Sequence, residues 1–291
     1  NEIGVDARFL GNMLIVDLAY YTNLTKNDIV PVTTSVFSGY GSALANIGEV
    51  ENKGIELLVS GTPVQTENFY WKSSFNISHN NSEIVATNDE DAEIGLGEPR
   101  TRNVEIKQIV GEEFGTIVGV SYVRDDAGNI VYDIDGDGVP IAQLGPRKIL
   151  GVGVPPTQWG WSNTFSFKNW SLFFLIDGKS GGQIFSGTNS TLTGNGLHKN
   201  TIEGRESGLQ VSGVDGNGAA FNTVVAPEDL STYHGRISGI AEEFVSDADF
   251  IKFRQLRVSY DFPRSILEKT FLQNVNVSFI ANNLFYISRS V

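Results

Sequence analysis

The one stretch whose residue types and spacing suit a metal ion is Asp133-Ile134-Asp135-Gly136-Asp137-Gly138. Carboxylates at alternate positions let their oxygens converge on a hard cation, and glycine in sixth place allows the sharp turn such loops need. Val139 could add a backbone carbonyl from seventh place, but the twelfth place, which calls for a bidentate glutamate, holds Leu144. Asp133, Asp135 and Asp137 therefore read as a calcium-like loop with an incomplete ligand set, against an acidic turn in solvent as the simpler reading. Calcium is the single cofactor the sequence suggests. The histidines His79, His198 and His234 are scattered, without ligand spacing. Glu112-Glu113, Asp125-Asp126 and Glu242-Glu243 are neighbours in sequence, not an acid and a base set across a cleft. No nucleophile elbow or phosphate loop is present. Gly181-Gly182 and Gly194-x-Gly196 lie in a polar region read without a following amphipathic helix. The expectation is a protein that is not an enzyme.

The elements that must position these residues are alternating segments. From Asn46 to Asn80, Ile55, Leu57 and Val59 take every second place, and then Phe69, Trp71, Phe75 and Ile77 do the same. Glu56, Lys72, Ser74 and Asn76 take the other parity. A period of two puts each set on one face of a sheet, one aromatic and one polar. About eight such strands are expected: Ile3–Leu10, Met13–Thr22, Lys53–Ser60, Phe69–Asn80, Trp159–Phe167, Trp170–Asp177, Phe250–Phe262 and Asn274–Asn282. Asn52-Lys53-Gly54 reads as the entry to the third. The connections alternate. Gly11-Asn12, Thr62–Asn68, Lys168-Asn169 and Arg264–Gln273 are short, whereas Asn23–Asn52, Asn81–Gln158 and Gly178–Asp249 are long and read as structureless. A turn is expected at Gly39-Tyr40-Gly41 within the first long one. Short turns at one rim and long loops at the other are the habit of outer-membrane barrels, with the long loops outside the cell.

Three sets of motifs resemble a known family. N-I-G-E-V-x-N-K-G-I-E-L followed by N-F-x-W-x-x-x-F-N-I-S-x-N, then Asp247 to Pro263 (DADFIKFRQLRVSYDFP) and Asn274 to Phe285 (NVNVSFIANNLF), are similar to barrel strands of the SusC/RagA-type TonB-dependent outer-membrane transporters. The resemblance implies an all-β fold: an antiparallel transmembrane β-barrel segment, about eight strands of a barrel of about 22, with long extracellular loops. It implies that residues 1–291 are a partial barrel domain, with the plug, the first barrel strands and the closing strand outside it. It also implies import of large nutrients, oligosaccharides or peptides, in Bacteroidota. The partners would be a SusD-like surface lipoprotein as lid and the TonB complex, reached through absent N-terminal regions. Membrane lipid and lipopolysaccharide would surround the barrel. The alternative is a soluble extracellular all-β module that binds glycans, which leaves the alternation of loop lengths without a reason.

Within that frame, Trp159, Trp161 and Tyr122 are candidates for stacking on a sugar or packing on a peptide, with the aromatic girdle of a membrane interface as the other reading. Trp71 and Trp170, beside short turns, fit the girdle better. Glu56, Lys72, Arg257 and Asp261 fall on the polar parity and are candidates to line the lumen.

Composition sets the limits. The chain has 291 residues, 40% hydrophobic and 11% aromatic, with 32 glycines and no cysteine. Mean hydropathy is -0.10, and no apolar run approaches the roughly 20 residues of a spanning helix. Strands that alternate escape that test. Disulfides and thiolate metal sites are excluded. A net charge of -13 argues against nucleic acid as partner. Asn1-Glu2-Ile3-Gly4 has no signal-peptide pattern, and alternation starts at Ile3, so the chain is expected to be part of a longer precursor.

Overall fold

The computed structural model describes residues 1–27, 29–33, 42–46, 48–87, 92–96, 103–268 and 270–290, without the side chains at 30–33, 42, 43, 45 and 46. The turn expected at Gly39-Tyr40-Gly41 lies outside the described residues. Eight strands form one sheet in strict chain order, each antiparallel to the next. They are β1 (Glu2–Phe9), β2 (Leu14–Lys26), β3 (Glu49–Gln65), β4 (Phe69–Ala86), β5 (Thr157–Phe167), β6 (Trp170–Ser180), β7 (Phe250–Asp261) and β8 (Asn276–Arg289). All eight alternating segments are strands. β3 and β4 run to 17 and 18 residues. About 9–11 suffice to cross a bilayer, so these two project well beyond one.

The register carries one parity across the sheet, with shifts between β3 and β4, β6 and β7, and β7 and β8. Val16, Val59, Phe75, Trp161, Ile176 and Phe253 form one cross-strand row. Asp17, Leu58, Asn76, Gly160, Asp177 and Lys252 form the next, on the opposite face. The first face is tied by rings. Trp71 stacks on Phe165 at 5.7 Å, Phe165 on Phe174 at 6.2 Å, Phe174 on Phe253 at 6.0 Å and Phe253 on Phe285 at 5.5 Å. Ser73 and Asn163 break the apolar pattern of this face for a local reason. Trp71 Nε1 donates to Asn163 Oδ1 and Trp161 Nε1 to Ser73 Oγ, each at 3.0 Å. An indole N–H in an apolar setting needs such an acceptor.

Asn52-Lys53-Gly54 lies inside β3 and not at its entry, because β3 begins at Glu49. Gly54 pairs with Tyr21 across the sheet. A Cβ on it would lie 2.5 Å from the Tyr21 ring, so the missing side chain is what lets the ring lie flat on the strand. Tyr21 Oη then donates to Asn80 Oδ1 at 2.8 Å, and Asn80 Nδ2 to Asn52 Oδ1 at 3.1 Å. The motif is a packing device across three strands.

Connections 10–13, 66–68, 168–169 and 262–275 leave one end of the sheet, and 27–48, 87–156 and 181–249 leave the other. The tight turn at Lys168-Asn169 is present, with Lys168 at φ 52. The two longest connections are not structureless. The first holds a four-stranded sheet of Ile94–Gly95, Val104–Gln108, Thr116–Tyr122 and Leu144–Val152, and a hairpin of Tyr132–Ile134 with Pro140–Ala142. The second holds helices α1 (Gly187–Gly194) and α2 (Leu230–Ser238) and a hairpin of Leu209–Val214 with Ala220–Val225. Tyr122, Tyr132, Ile141 and Ala142 from the first pack with Val211, Val225, Leu230, Ile237, Ile240 and Phe244 from the second in one core. The two loops therefore form a single cap, since each fully buried aliphatic side chain contributes about 1.5–3 kcal/mol. No described helix is long and apolar enough to cross a membrane.

Candidate functional site

The Asp133–Asp137 stretch forms the tip of the Tyr132–Ile134 and Pro140–Ala142 hairpin. Asp135 Oδ1 accepts from the N–H groups of Asp137 and Val139, at 3.0 and 2.8 Å, and Gly138 has φ +86. The same turn occurs twice more. Asp125 Oδ1 accepts from the N–H groups of Ala127 and Asn129, with Gly128 at φ +86. Asp215 Oδ1 accepts from those of Asn217 and Ala219, with Gly218 at φ +81. In each, one aspartate oxygen holds the turn shut while glycine takes the left-handed conformation. Asp133 Oδ1 accepts from the N–H of Ile134. The three carboxylates are not brought together, and no group of three or more acidic or histidine residues suited to a metal occurs among the described residues. Asp135 could ligate a cation through Oδ1 only by releasing its two backbone donors.

Tyr122 is buried in the cap, and its Oη donates to Glu243 Oε2 at 2.8 Å. Burial, then the Glu243 carboxylate, push its phenol well above the usual range. Glu242 accepts from the Tyr122 N–H at 3.0 Å and pairs with Arg124 and Lys148, each at 3.0 Å. These two glutamates of one loop clamp the other. Their role was hidden in the sequence because the partners lie more than 90 positions away, in the opposite loop.

Glu56, Lys72 and Arg257 all lie on the polar face. Lys72, Thr164, Phe173 and Arg257 share one cross-strand row. Glu56, nearer the cap, lines a groove of about 480 Å³ with Glu2, Asp17, Asn76 and Ser78. Arg254, missed from the sequence, sits where the register of β7 shifts against β8. Its Nε donates to Asp177 Oδ2 at 2.6 Å and its Nη1 to Asn283 Oδ1 at 2.7 Å. The apolar parity of β7 switches there, from Ile251 and Phe253 to Leu256, Val258 and Tyr260, which is the mark such a bulge leaves in a sequence. Trp159 and Trp161 lie on the aromatic face, paired with Ile77 and Phe75. Trp170 packs on Tyr260 at 4.7 Å beside the short turns.

One aromatic face, one polar face, tight turns at one end and folded loops at the other define part of a transmembrane β-barrel of the outer-membrane kind. The sequence matches the family described as TonB dependent receptor-like, beta-barrel, over residues 1–284. TonB-dependent receptor P3 of Formosa agariphila is 26% identical over 304 residues, covering 97% of this chain and 29% of that protein. TonB-dependent receptor SusC of Bacteroides thetaiotaomicron is 22% identical, covering 89% of this chain and 25% of that protein. The RagAB peptide importer in its open-open state superposes with a TM-score of 0.71 at 18% identity, over 99% of this chain and 31% of that one. The chain belongs to the TonB-dependent receptor β-barrel family, and SusC and RagAB are among the proteins it resembles. It is an outer-membrane protein, and its relatives are receptors and transporters and not enzymes. It spans under a third of the length of the relatives it matches. The soluble-module alternative is set aside. The eight strands make a single sheet, and its aromatic face carries no second sheet among the described residues.

Proposed function

We propose that this chain is one wall of an outer-membrane importer of large nutrients, oligosaccharides or peptides. A SusD-like surface lipoprotein serves as its lid, and the TonB complex supplies energy through regions outside this chain. The barrel is a conduit and not a catalyst. Lipid and lipopolysaccharide meet the aromatic face, including Trp159 and Trp161. Glu56, Lys72 and Arg257 face the transport path. The observation that carries the reading is the joining of a two-faced spanning sheet to a folded cap at its long-loop end. A cap folded around its own core is a suitable platform for a lid, because a preorganised surface loses less freedom on binding.

The test replaces residues 182–247 of the full-length receptor with a short Gly-Ser linker. The barrel is expected to assemble in the outer membrane, to lose co-purification of the lid lipoprotein and to stop supporting growth on the imported nutrient. Undiminished lid association would remove the proposed role of the cap.

A further inference from the structure

The cap has a core that the wall does not share. Its buried apolar residues form one cluster running from Tyr122 to Phe244 and a smaller one of Val104, Ile117 and Ala241. Among the described residues, none from the eight strands belongs to either. The two loops are stitched to each other as well as packed. Val131 and Val214 form a parallel bridge, and the Val214 N–H donates to the Ile130 carbonyl at 3.1 Å. The Ser238 carbonyl accepts from Asn103 Nδ2 of the first loop at 3.1 Å and from Ser190 Oγ of the second at 2.8 Å. Arg124 and Lys148 of the first loop meet Glu242 of the second. Ile240, between α2 and Glu242, is fully buried.

The links from cap to wall are narrow. Chain crossings at 155–156, 181–182 and 248–249 stand side by side. The Asn80 N–H of β4 donates to the Pro156 carbonyl at 2.9 Å, the Gly181 N–H to Asp249 Oδ1 at 2.9 Å and the Ala248 N–H to the Gly182 carbonyl at 2.8 Å. Cβ atoms on Gly181 and Gly182 would lie 2.8 and 3.1 Å from Pro156 and Pro155, so glycine is what lets these crossings touch. The other link is a strap along the end of β4. The Ile84 N–H donates to the Glu112 carbonyl and the Gly111 N–H to the Ile84 carbonyl, each at 2.9 Å. Gly111 and Gly115 give the strap φ values of +84 and +87, which glycine adopts without strain. Cap and wall also stand in different media. A strand that opens within lipid leaves its N–H and C=O groups without partners, whereas water takes up those of an opened loop.

We infer that the cap is a cooperative unit of its own, which opens and recloses as one body in water while the eight strands stay paired in the membrane. The two loops let go together, because each supplies the surface that buries the other. Only the closed cap presents a fixed outer surface. Whatever docks there binds with an apparent affinity reduced by the fraction of caps that are open. The inference stands apart from the importer reading: it concerns how the extracellular end is held, whatever passes through the barrel.

The test uses the full-length receptor in lipid vesicles, with amide hydrogen exchange read by mass spectrometry in water and in low urea. Amides of Thr116–Tyr122, Leu209–Val214 and α2 are expected to share one opening equilibrium and one urea dependence, while those in the membrane-spanning parts of β4 to β6 stay protected. Ile240→Ala is expected to speed exchange at least about tenfold in both loops alike and to leave the strands unchanged. Ile240→Asp is expected to abolish protection in both loops while the barrel still assembles. Should that variant fail to reach the membrane, Ile240→Ala decides alone. Faster exchange in one loop only would split the cap into two units and overturn the inference. Loss of protection in β4 to β6 in step with the cap would make cap and wall one unit, and overturns it too. So do cap amides that exchange as slowly as those of the strands in both the parent and Ile240→Ala.

Discussion

Glu242 shows how one side chain carries a whole assembly of loops. Burial opposes its charge, but hydrogen bonds from Lys148, the Tyr122 N–H and Arg124 outweigh that and hold its carboxyl below the usual range. A depressed folded pKa means stabilisation that is present above the unfolded value, about 4.3, and lost as pH falls through the folded one. His234 behaves likewise at higher pH. Burial first, and Arg205 next, lower its pKa. Its Nε2 is buried without a hydrogen-bond partner. The unfolded chain takes up that proton near about 6.5, so stability falls from there downward. The cap is therefore expected to loosen in two steps on acidification, read as loss of hydrogen-exchange protection at Tyr122 and in α2. His234→Leu should remove the upper step. Glu242→Gln should cost about 1–2 kcal/mol at neutral pH and flatten the lower step. Protection unchanged between neutral pH and about pH 4 would contradict this account of both groups. At this scale the sequence was partly legible. Asp133, Asp135 and Asp137 drew notice for their spacing, yet the same D-x-x-G pattern at Asp125 and Asp215 marks all three as hairpin tips, and that repetition was visible in the sequence.

Elements that alternate were the easiest to read, because a half-buried strand writes its two faces into every second residue. The same alternation sets the energetics. Phe174→Arg, in the ring ladder of β6, is expected to destabilise the barrel by about 2–4 kcal/mol. Ser162→Arg, on the opposite face of β5, should cost little. Thermal unfolding of the full-length receptor in lipid vesicles checks the pair, and equal losses would contradict the assignment of faces. The helices of the cap were harder to read. Leu230, Tyr233, His234 and Ile237 are all buried at the spacing of one helix face, after Pro227 at a helix start. That pattern was present but lay among glycines and asparagines that favour turns. α1 has no such pattern; it rests on the Ser186 cap and on contact with α2. Its existence depends on tertiary packing that no local signal records.

The whole molecule joins two kinds of folding. The sheet is held by neighbours in sequence, strand upon strand, so its order followed from the connections alone. The cap is held by two loops that are remote in sequence, and its core exists only when both are present. The outer edges of β1 and β8 pair with no described strand. Their apolar residues, Ile3, Val5, Val277 and Phe279 among them, are exposed. A face of that kind is stable only against lipid, and open edges of that kind only within a closed barrel.

The central claim is that the two faces of this sheet meet different media. The chain has no cysteine, so single cysteines can be placed along β5 and β7 of the full-length receptor and spin-labelled without background. Collision with oxygen and with a water-soluble nickel complex is then measured in lipid vesicles. Oxygen access is expected to peak at Trp161, Phe165, Leu256 and Val258, and nickel access at Ser162, Thr164, Gln255 and Arg257, in strict alternation. Loss of that alternation, or nickel access equal on both faces, would contradict the account.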